Sequence, residues 1–167
     1  MTEKVAPGVV TDGTGLVLFV PAIADVQNPT VAELTATGVV KITYSLTPDG
    51  FSHETTVATS TTGRFTLEQA LENEGKITDA VEVTYVTTED DNVDVARVAL
   101  ARGTVGFLVK RIAIPNGTAV AAGQIVTVLP IRAGLQRDVA PAENEEWKVV
   151  QKLLVTGVVG RKVKVVA

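Results

Sequence analysis

Three long, apolar segments rich in β-branched residues constrain the fold of this chain more than any other feature. They are Thr104–Ile114, Gln124–Arg132 and Trp147–Val159. Branching at Cβ favours extended backbone, so each segment is predicted to be a strand. Apolar residues fall on both faces of all three strands, and both faces therefore need cover. Since one small domain with few helices supplies little cover, we expect neighbouring copies of the chain to provide it.

The composition favours a mainly β protein. The chain has 167 residues, of which 46% are apolar and only 4% aromatic, a size and content that suit one domain with a two-layer core. Residues 1–15, with Pro7 and three glycines, are predicted to be a flexible N-terminal arm. Residues 16–167 are predicted to form a single domain, in which a polar loop or arm at about 133–146 could reach a neighbouring subunit.

Shorter patterns predict the connecting elements. Thr30 and Glu33 match a capping box, which predicts a short helix over residues 31–37. Alternation over Val39–Leu46, a Pro-Asp-Gly turn at 47–50 and a return strand at 51–58 predict a hairpin. A polar loop at 59–63 and a helix from Thr66 to about residue 72 are predicted to follow. The other expected elements are a strand at 80–86, a helix at 94–101 and an edge strand at 161–166.

The formal net charge of −4 hides a polarised distribution. Met1–Asp94 carries 15 acidic and 4 basic residues, hence −11, whereas Val95–Ala167 carries 4 acidic and 11 basic residues, hence +7. Acidic surface of one copy could face basic surface of the next and steer association. Alternatively, both halves fold into one mixed surface. The acidic balance argues against a general nucleic-acid-binding protein.

Residue types that carry chemistry are scarce. The chain has no cysteine, so disulfides, thiolate nucleophiles and thiolate metal sites are excluded. His53 is the only histidine, and its place in a predicted strand favours a surface or interface role over that of a base. The acidic loop 89–94 lacks the spacing of a calcium loop and is predicted to cap a helix. We expect neither enzymatic activity nor a cofactor or metal, and Leu16–Ala24, the longest apolar stretch, is too short to insert into a membrane.

Four motifs, in this order, carry a family resemblance. They are FVPAIAD at Phe19–Asp25, PTVAEL at Pro29–Leu34, YSLTPDGF at Tyr44–Phe51 and GTVGFLVKR at Gly103–Arg111. With them the chain resembles the major tail tube proteins of long-tailed bacteriophages that infect actinobacteria, from Leu16 to about Val159. The segment Thr55–Thr66 departs from the family pattern because it is unusually rich in threonine.

The resemblance implies a two-sheet β-sandwich or barrel with one or two short helices. Six copies would form a ring, inner hairpins would close a β-barrel around the lumen, and rings would stack into a tail tube. The implied partners are other copies of the chain, a tape-measure protein in the lumen, tail-tip and terminator proteins, and DNA in transit. The implied location is the virion tail, assembled in the host cytoplasm.

The same resemblance gives roles to individual charged residues. An acidic or neutral lumen would repel phosphate and let DNA slide, whereas basic side chains would bind it. We therefore expect Glu54 and Glu82 to face the lumen. Five other residues are candidate contacts between subunits: Lys110, Arg111, Arg132, Trp147 and Lys152.

Two other classes of protein share this composition. The first is another virion β-sandwich protein, such as a tail terminator, a head–tail connector or a capsid-decorating protein, which would form a single ring or a trimer. The second is a carbohydrate-binding sandwich domain. One tryptophan and two tyrosines are few for sugar platforms, which counts against the second class.

Overall fold

In the computed structural model, which describes residues 2–167, the chain is mainly β with two short α-helices. The strands are β1 (Thr14–Val20), β2 (Val40–Lys41), β3 (Leu46–Thr62), β4 (Leu71–Val86), β5 (Val105–Pro115), β6 (Ile125–Asp138), β7 (Lys148–Val155) and β8 (Gly160–Lys164). The helices are α1 (Val31–Leu34) and α2 (Val95–Ala99). All strands join one antiparallel sheet in the order β2-β1-β5-β6-β7-β4-β3, and β8 pairs with β6. The predicted fold class is confirmed.

Strand β6 divides this sheet into two parts. Its first half pairs with β5 on one edge and β8 on the other, and its second half pairs with β7. The register shifts between Ala133 and Gln136, around Gly134. A Cβ at Gly134 would overlap the carbonyl oxygen of Lys152, so only glycine allows this close approach. The shift lets the β7-β4-β3 part turn back towards β1 and β5.

Two hydrophobic cores result. The first lies between the two parts of the sheet, where Phe19 and Leu108 pack in one cluster with Val83 and Leu153. The second lies on the opposite face of β1, β5 and β6, where the α1 segment and the C-terminal residues pack. Its buried members are Leu16, Leu18, Val20, Ile23, Leu34, Val109, Val126, Val128, Val163 and Val165.

The second core corrects the expectation that neighbouring copies must cover the two-faced strands. Leu108 and Val109, adjacent residues on opposite faces of β5, are 0% and 2% exposed within a single copy. The cover comes from residues 23–34 and 163–165, which sequence patterns did not place there. Open apolar positions remain along the three strands, and each is 48–64% exposed: Val105 and Ile112 in β5, Ile125 and Leu135 in β6, and Leu154 in β7.

Two of the three predicted helix starts are confirmed. The hydroxyl of Thr30 accepts a hydrogen bond from the Glu33 backbone N–H at 3.2 Å, and the Glu33 carboxylate accepts one from the Thr30 N–H at 2.8 Å. This reciprocal cap starts α1. The carboxylate of Asp94 accepts from the Arg97 N–H and starts α2. Both helices are shorter than predicted.

The predicted hairpin over residues 39–58 is wrong. Strand β2 has two residues, and Tyr44 lies in a 3-10 turn with 82% of its surface exposed. Residues 47–50 form an irregularity inside β3, between Leu46 and Phe51. At Gly50 the backbone passes so close to the Thr84 carbonyl that a Cβ would overlap it. The glycine thus allows close strand approach instead of a chain reversal, and the partner of β3 is β4.

The predicted loop at 59–63 and helix at 66–72 are also wrong. Residues up to Thr62 continue β3, and β4 begins at Leu71, so the two strands form one long hairpin. Thr66 has φ of +64°, which no residue of an α-helix adopts. The threonine-rich segment favours pairing with residues 71–78 because threonine suits extended backbone. The residues that match a capping box, beginning at Thr66, therefore lie in the turn between β3 and β4 and start no helix.

Candidate subunit interface

A polar cluster holds the base of the β3–β4 hairpin against β8. The carboxylate of Asp79 accepts hydrogen bonds from Thr55 Oγ1 at 2.7 Å and from the Arg161 guanidinium at 2.6 Å, and it lies 2.9 Å from His53 Nε2. Its side chain is only 9% exposed. The single histidine therefore belongs to this hydrogen-bonded cluster, and its expected surface or interface role stays a prediction.

The pKa of Asp79 gives a pH prediction. Burial of the carboxyl raises its pKa, but hydrogen bonds from Thr55, Arg161 and His53 outweigh that effect and hold the pKa below the ordinary 3.8. A depressed folded-state pKa means that the cluster stabilises the fold above about pH 4, and that this contribution is lost as pH falls through the folded value. Thermal unfolding between pH 7 and pH 2.5 should therefore show a shallower acid decline for Asp79→Asn than for the parent. Parallel declines would contradict this.

Beyond that cluster the hairpin is exposed on both faces. The segments 55–62 and 71–78, here called the distal hairpin, carry exposed apolar side chains: Val57 is 41%, Ile77 47% and Leu71 52% exposed. Phe65, in the turn between them, is 98% exposed. An isolated two-stranded ribbon is marginally stable in water, and apolar groups on it favour a partner surface.

The predicted lumen residues lie on one exposed face, formed by β3, β4 and β7. Glu82 lies opposite Ser52 in β3 and Lys152 in β7, and Glu54 lies opposite Ala80. Arg137 approaches the Glu82 carboxylate at 3.6 Å. The face is therefore mixed in charge. Lys152, which was predicted as a subunit contact, lies on it beside Glu82 and near Glu54. The expectation that Glu54 and Glu82 face an acidic or neutral lumen stays a prediction.

Lys110 and Arg111 lie on opposite faces of β5. The Lys110 ammonium sits 4.4 Å from the centroid of the Phe51 ring, and burial lowers its pKa. Arg111 is 1% exposed. Its guanidinium donates to the carbonyls of Pro115 and Thr118, each at 3.0 Å, and to Gln124 Oε1 at 2.9 Å. Because these bonds hold the 115–124 connection within the chain, Arg111 is not available to a neighbouring subunit, and its prediction as a contact is corrected.

Replacing Arg111 tests this assignment. Arg111→Met keeps the aliphatic stem but leaves the Pro115 and Thr118 carbonyls without their donor, at a cost of about 2–3 kcal/mol. Chemical denaturation should show that loss in the free energy of unfolding. Arg132→Met, at an exposed position, is the matched control and should change it by less than about 0.5 kcal/mol. Equal effects at both positions would contradict the buried role.

The other predicted contacts stay accessible. Arg132 and Lys152 are exposed, and Trp147 is 63% exposed, so all three remain predictions. The expected loop at 133–146 is shorter than predicted, because residues 133–138 belong to β6. Residues 2–13 form neither helix nor strand and are exposed, but β1 begins at Thr14, and Met1 lies outside the described residues. The arm and domain boundaries therefore remain predictions.

Sequence reasoning missed an open groove beside the hairpin base. It has a volume of about 900 Å³ and is bordered by His53 of β3, the end of β5, the start of β6 and Lys162 of β8. Ile112 and Ile125 line it and are 59% and 49% exposed. The signal in the sequence that could have indicated it is the apolar pattern that continues to Ile112 near the end of β5 and to Ile125 at the start of β6. Its lining comes from four strands that are distant in sequence, and the topology could not be read from sequence patterns.

Two features of the described residues bear on other functions. Residues 2–167 contain no group of three or more histidine, cysteine, aspartate or glutamate side chains that could hold a metal ion. The described chain also contains no helix that is long and apolar enough to cross a membrane. The acidic loop 89–94 instead serves α2: Arg97 pairs with Asp91 and, at 2.8 Å, with Asp94.

Comparisons with known proteins agree with this architecture. A family model described as phage tail tube protein matches residues 2–167. Among solved structures, a chain of the six-fold symmetrised cryo-EM baseplate of the anti-feeding prophage is similar, with a TM-score of 0.56 and 10% identity. The match covers 92% of this chain and 95% of that one, and at this identity it shows the fold alone. No curated protein matches the sequence.

Proposed function

Because the chain belongs to the phage tail tube protein family, we propose that its copies assemble into rings that stack into the tail tube, the conduit for DNA ejection. The observation that carries this proposal is the β3–β4 hairpin. It extends past the two cores and exposes apolar residues on both faces, and its 17-residue strand β3 ends the sheet with an unpaired outer edge. Such an edge is a template for pairing with another chain.

The part of the sheet formed by β6, β7, β4 and β3 has two free edges. One is the outer edge of β3. The other is the edge of β6 beyond Ala133. Within the described residues, β5 pairs with β6 only as far as Arg132, and the Ala133 N–H donates a hydrogen bond to the Thr104 carbonyl. If β3 of one copy pairs with the end of β6 in the next, the sheet continues from copy to copy. Closing it into a ring removes both of these free edges.

We place the face that carries Glu54 and Glu82 towards the lumen. Lys152 and Arg137 lie beside Glu82, and carboxylates next to these cations limit their attraction for phosphate. DNA would then pass without being held, and the lumen would be mixed in charge instead of acidic. The six-fold symmetry of the baseplate that contains the similar chain supports six copies in each ring. A tape-measure protein would fill the lumen before ejection, and tail-tip and terminator proteins would bound the tube.

The runner-up is a terminator, connector or decorating protein of the virion. These would share the fold but form a single ring or a trimer, and the match to the tube family favours the polymer. Negative-stain microscopy of the purified protein discriminates the two. We expect hollow tubes of uniform diameter that lengthen with protein concentration. Discrete rings that never stack would support the runner-up and overturn the tube.

A further inference from the structure

The groove beside the hairpin base combines apolar and cationic surface. Ile112 and Ile125 expose about half of their side chains into open space, although both are branched aliphatic residues on strands. Lys110 and Lys162 also line it. Of the chain's own β3–β4 hairpin, only His53 borders the groove, so the distal hairpin does not fill it within the same copy. A groove with this lining favours an occupant that is apolar and acidic.

The distal hairpin has the complementary pattern on one face. Its register pairs Val57 with Ile77, then Thr59 with Glu74 and Thr61 with Glu72. Val57, Thr59 and Thr61 lie two residues apart on β3 and share a face, and each partner on β4 lies on that same face. The register shift between Val57 and Thr59 takes up the three-residue step from Ile77 to Glu74, so two aliphatic side chains are followed by two carboxylates. The opposite face near the tip pairs Ser60 with Asn73 and carries no charge at those positions. This face of the distal hairpin is therefore acidic, whereas the groove carries the cationic side chains of Lys110 and Lys162.

We propose that the distal hairpin of one copy docks in the groove of a neighbouring copy. Val57 and Ile77 would cover Ile112 and Ile125, and Glu72 and Glu74 would approach Lys110 and Lys162. This inference rests on the proposed function because it requires a second copy. Beyond that function, it identifies the surface that receives the hairpin and the face of the hairpin that enters the groove. Apolar burial would supply most of the affinity, and the charges would fix the register.

Cross-linking tests the docking directly, because the chain has no cysteine and every introduced thiol is unique. Thr61→Cys and Ile125→Cys are made as separate variants, mixed in equal amounts, assembled and treated with a short bis-maleimide. We expect a linked dimer of the two variants. Ser60→Cys, one residue away on the opposite hairpin face, is the matched control and should link to Ile125→Cys at less than a tenth of that yield. Equal linking from both hairpin positions would overturn the proposal.

Charge reversal gives an independent readout. Glu72→Lys with Glu74→Lys, or Lys110→Glu with Lys162→Glu, should raise the concentration needed for assembly at least tenfold, and all four changes together should restore it. Glu143→Lys with Glu146→Lys, on an exposed loop, should have no effect. Unchanged assembly in both reversed variants would overturn the docking. The docking would also be overturned if Ile125→Cys were cross-linked to Val9→Cys, in the N-terminal segment, and not to Thr61→Cys.

The two proposals fail in different ways. Tubes that form without the Thr61→Cys cross-link would overturn the docking and leave the proposed function intact. A chain that stays a single copy at every concentration would overturn both. Since the cross-linking positions lie on exposed strands, this test does not depend on the folding of the Lys110→Glu variant.

Discussion

Removing the outer part of the distal hairpin is expected to leave a folded chain that no longer assembles. The deletion replaces Ala58–Lys76 with Asn-Gly, which joins Val57 directly to its register partner Ile77. A two-residue Asn-Gly turn suits such a junction because its backbone twist matches that of the paired strands. Neither hydrophobic core contains a residue of the deleted segment. Thermal unfolding should therefore occur within a few degrees of the parent, while light scattering should give the mass of one chain.

The outcome separates a structural role of the hairpin from an assembly role. A shortened chain that unfolds at a much lower temperature would mean that the distal hairpin stabilises the monomer. A shortened chain that forms tubes as the parent does would contradict the proposed interface. Phe65→Ser, which changes only the exposed turn, serves as a milder companion and should keep the fold unchanged.

The largest expected loss of stability comes from Gln151→Leu. The Gln151 side chain is fully buried, donates to the carbonyls of Leu100 at 2.8 Å and Gly134 at 3.0 Å, and accepts from the Tyr85 hydroxyl at 3.1 Å. Leucine fits a similar volume but leaves both carbonyls without this donor. We expect a loss of about 3 kcal/mol, which lowers the unfolding temperature by about 6–12 °C in a chain of this size. Gln27→Leu, at an exposed position, is the control and should have little effect.

The same network ties α2 to the sheet. Gln136 donates to the Tyr85 hydroxyl at 2.9 Å and to the Arg97 carbonyl at 2.9 Å. Burial raises the pKa of the Tyr85 hydroxyl to about 12, so it stays protonated and able to donate at any ordinary pH. A free energy of unfolding for Gln151→Leu equal to that of the parent would mean that this network does not stabilise the fold.

Local patterns predicted most of the strands and both helix starts. Ala80–Val86 alternates as predicted, with Val81, Val83 and Tyr85 buried, because one face of that strand meets the first core. The capping residues Thr30 and Asp94 act through bonds to residues three positions on, and such short-range signals are legible in sequence. Failures came where a distant strand decided the outcome. The capping pattern at Thr66 lost to pairing between β3 and β4, and the predicted turn at residues 47–50 lost to close packing against Thr84.

The candidate interface was less predictable than the fold. The charge polarity was visible in the sequence, but its placement was not, because register decides that Lys152 faces Glu82 and that Glu72 shares a face with Glu74. Arg111 looked like a surface cation, and only the path of the 115–124 connection shows that carbonyl oxygens surround it. Pairing across strands and the second core depend on topology, which residue patterns do not specify.

Size-exclusion chromatography with light scattering tests the central claim most directly, since unpaired β3 edges and exposed distal hairpins should draw copies of this chain together. The account predicts particles whose mass is a multiple of 17.5 kDa and grows with concentration, whereas the hairpin deletion should give the mass of one shortened chain, below 17.5 kDa. A parent chain that elutes at 17.5 kDa even at high concentration would contradict it.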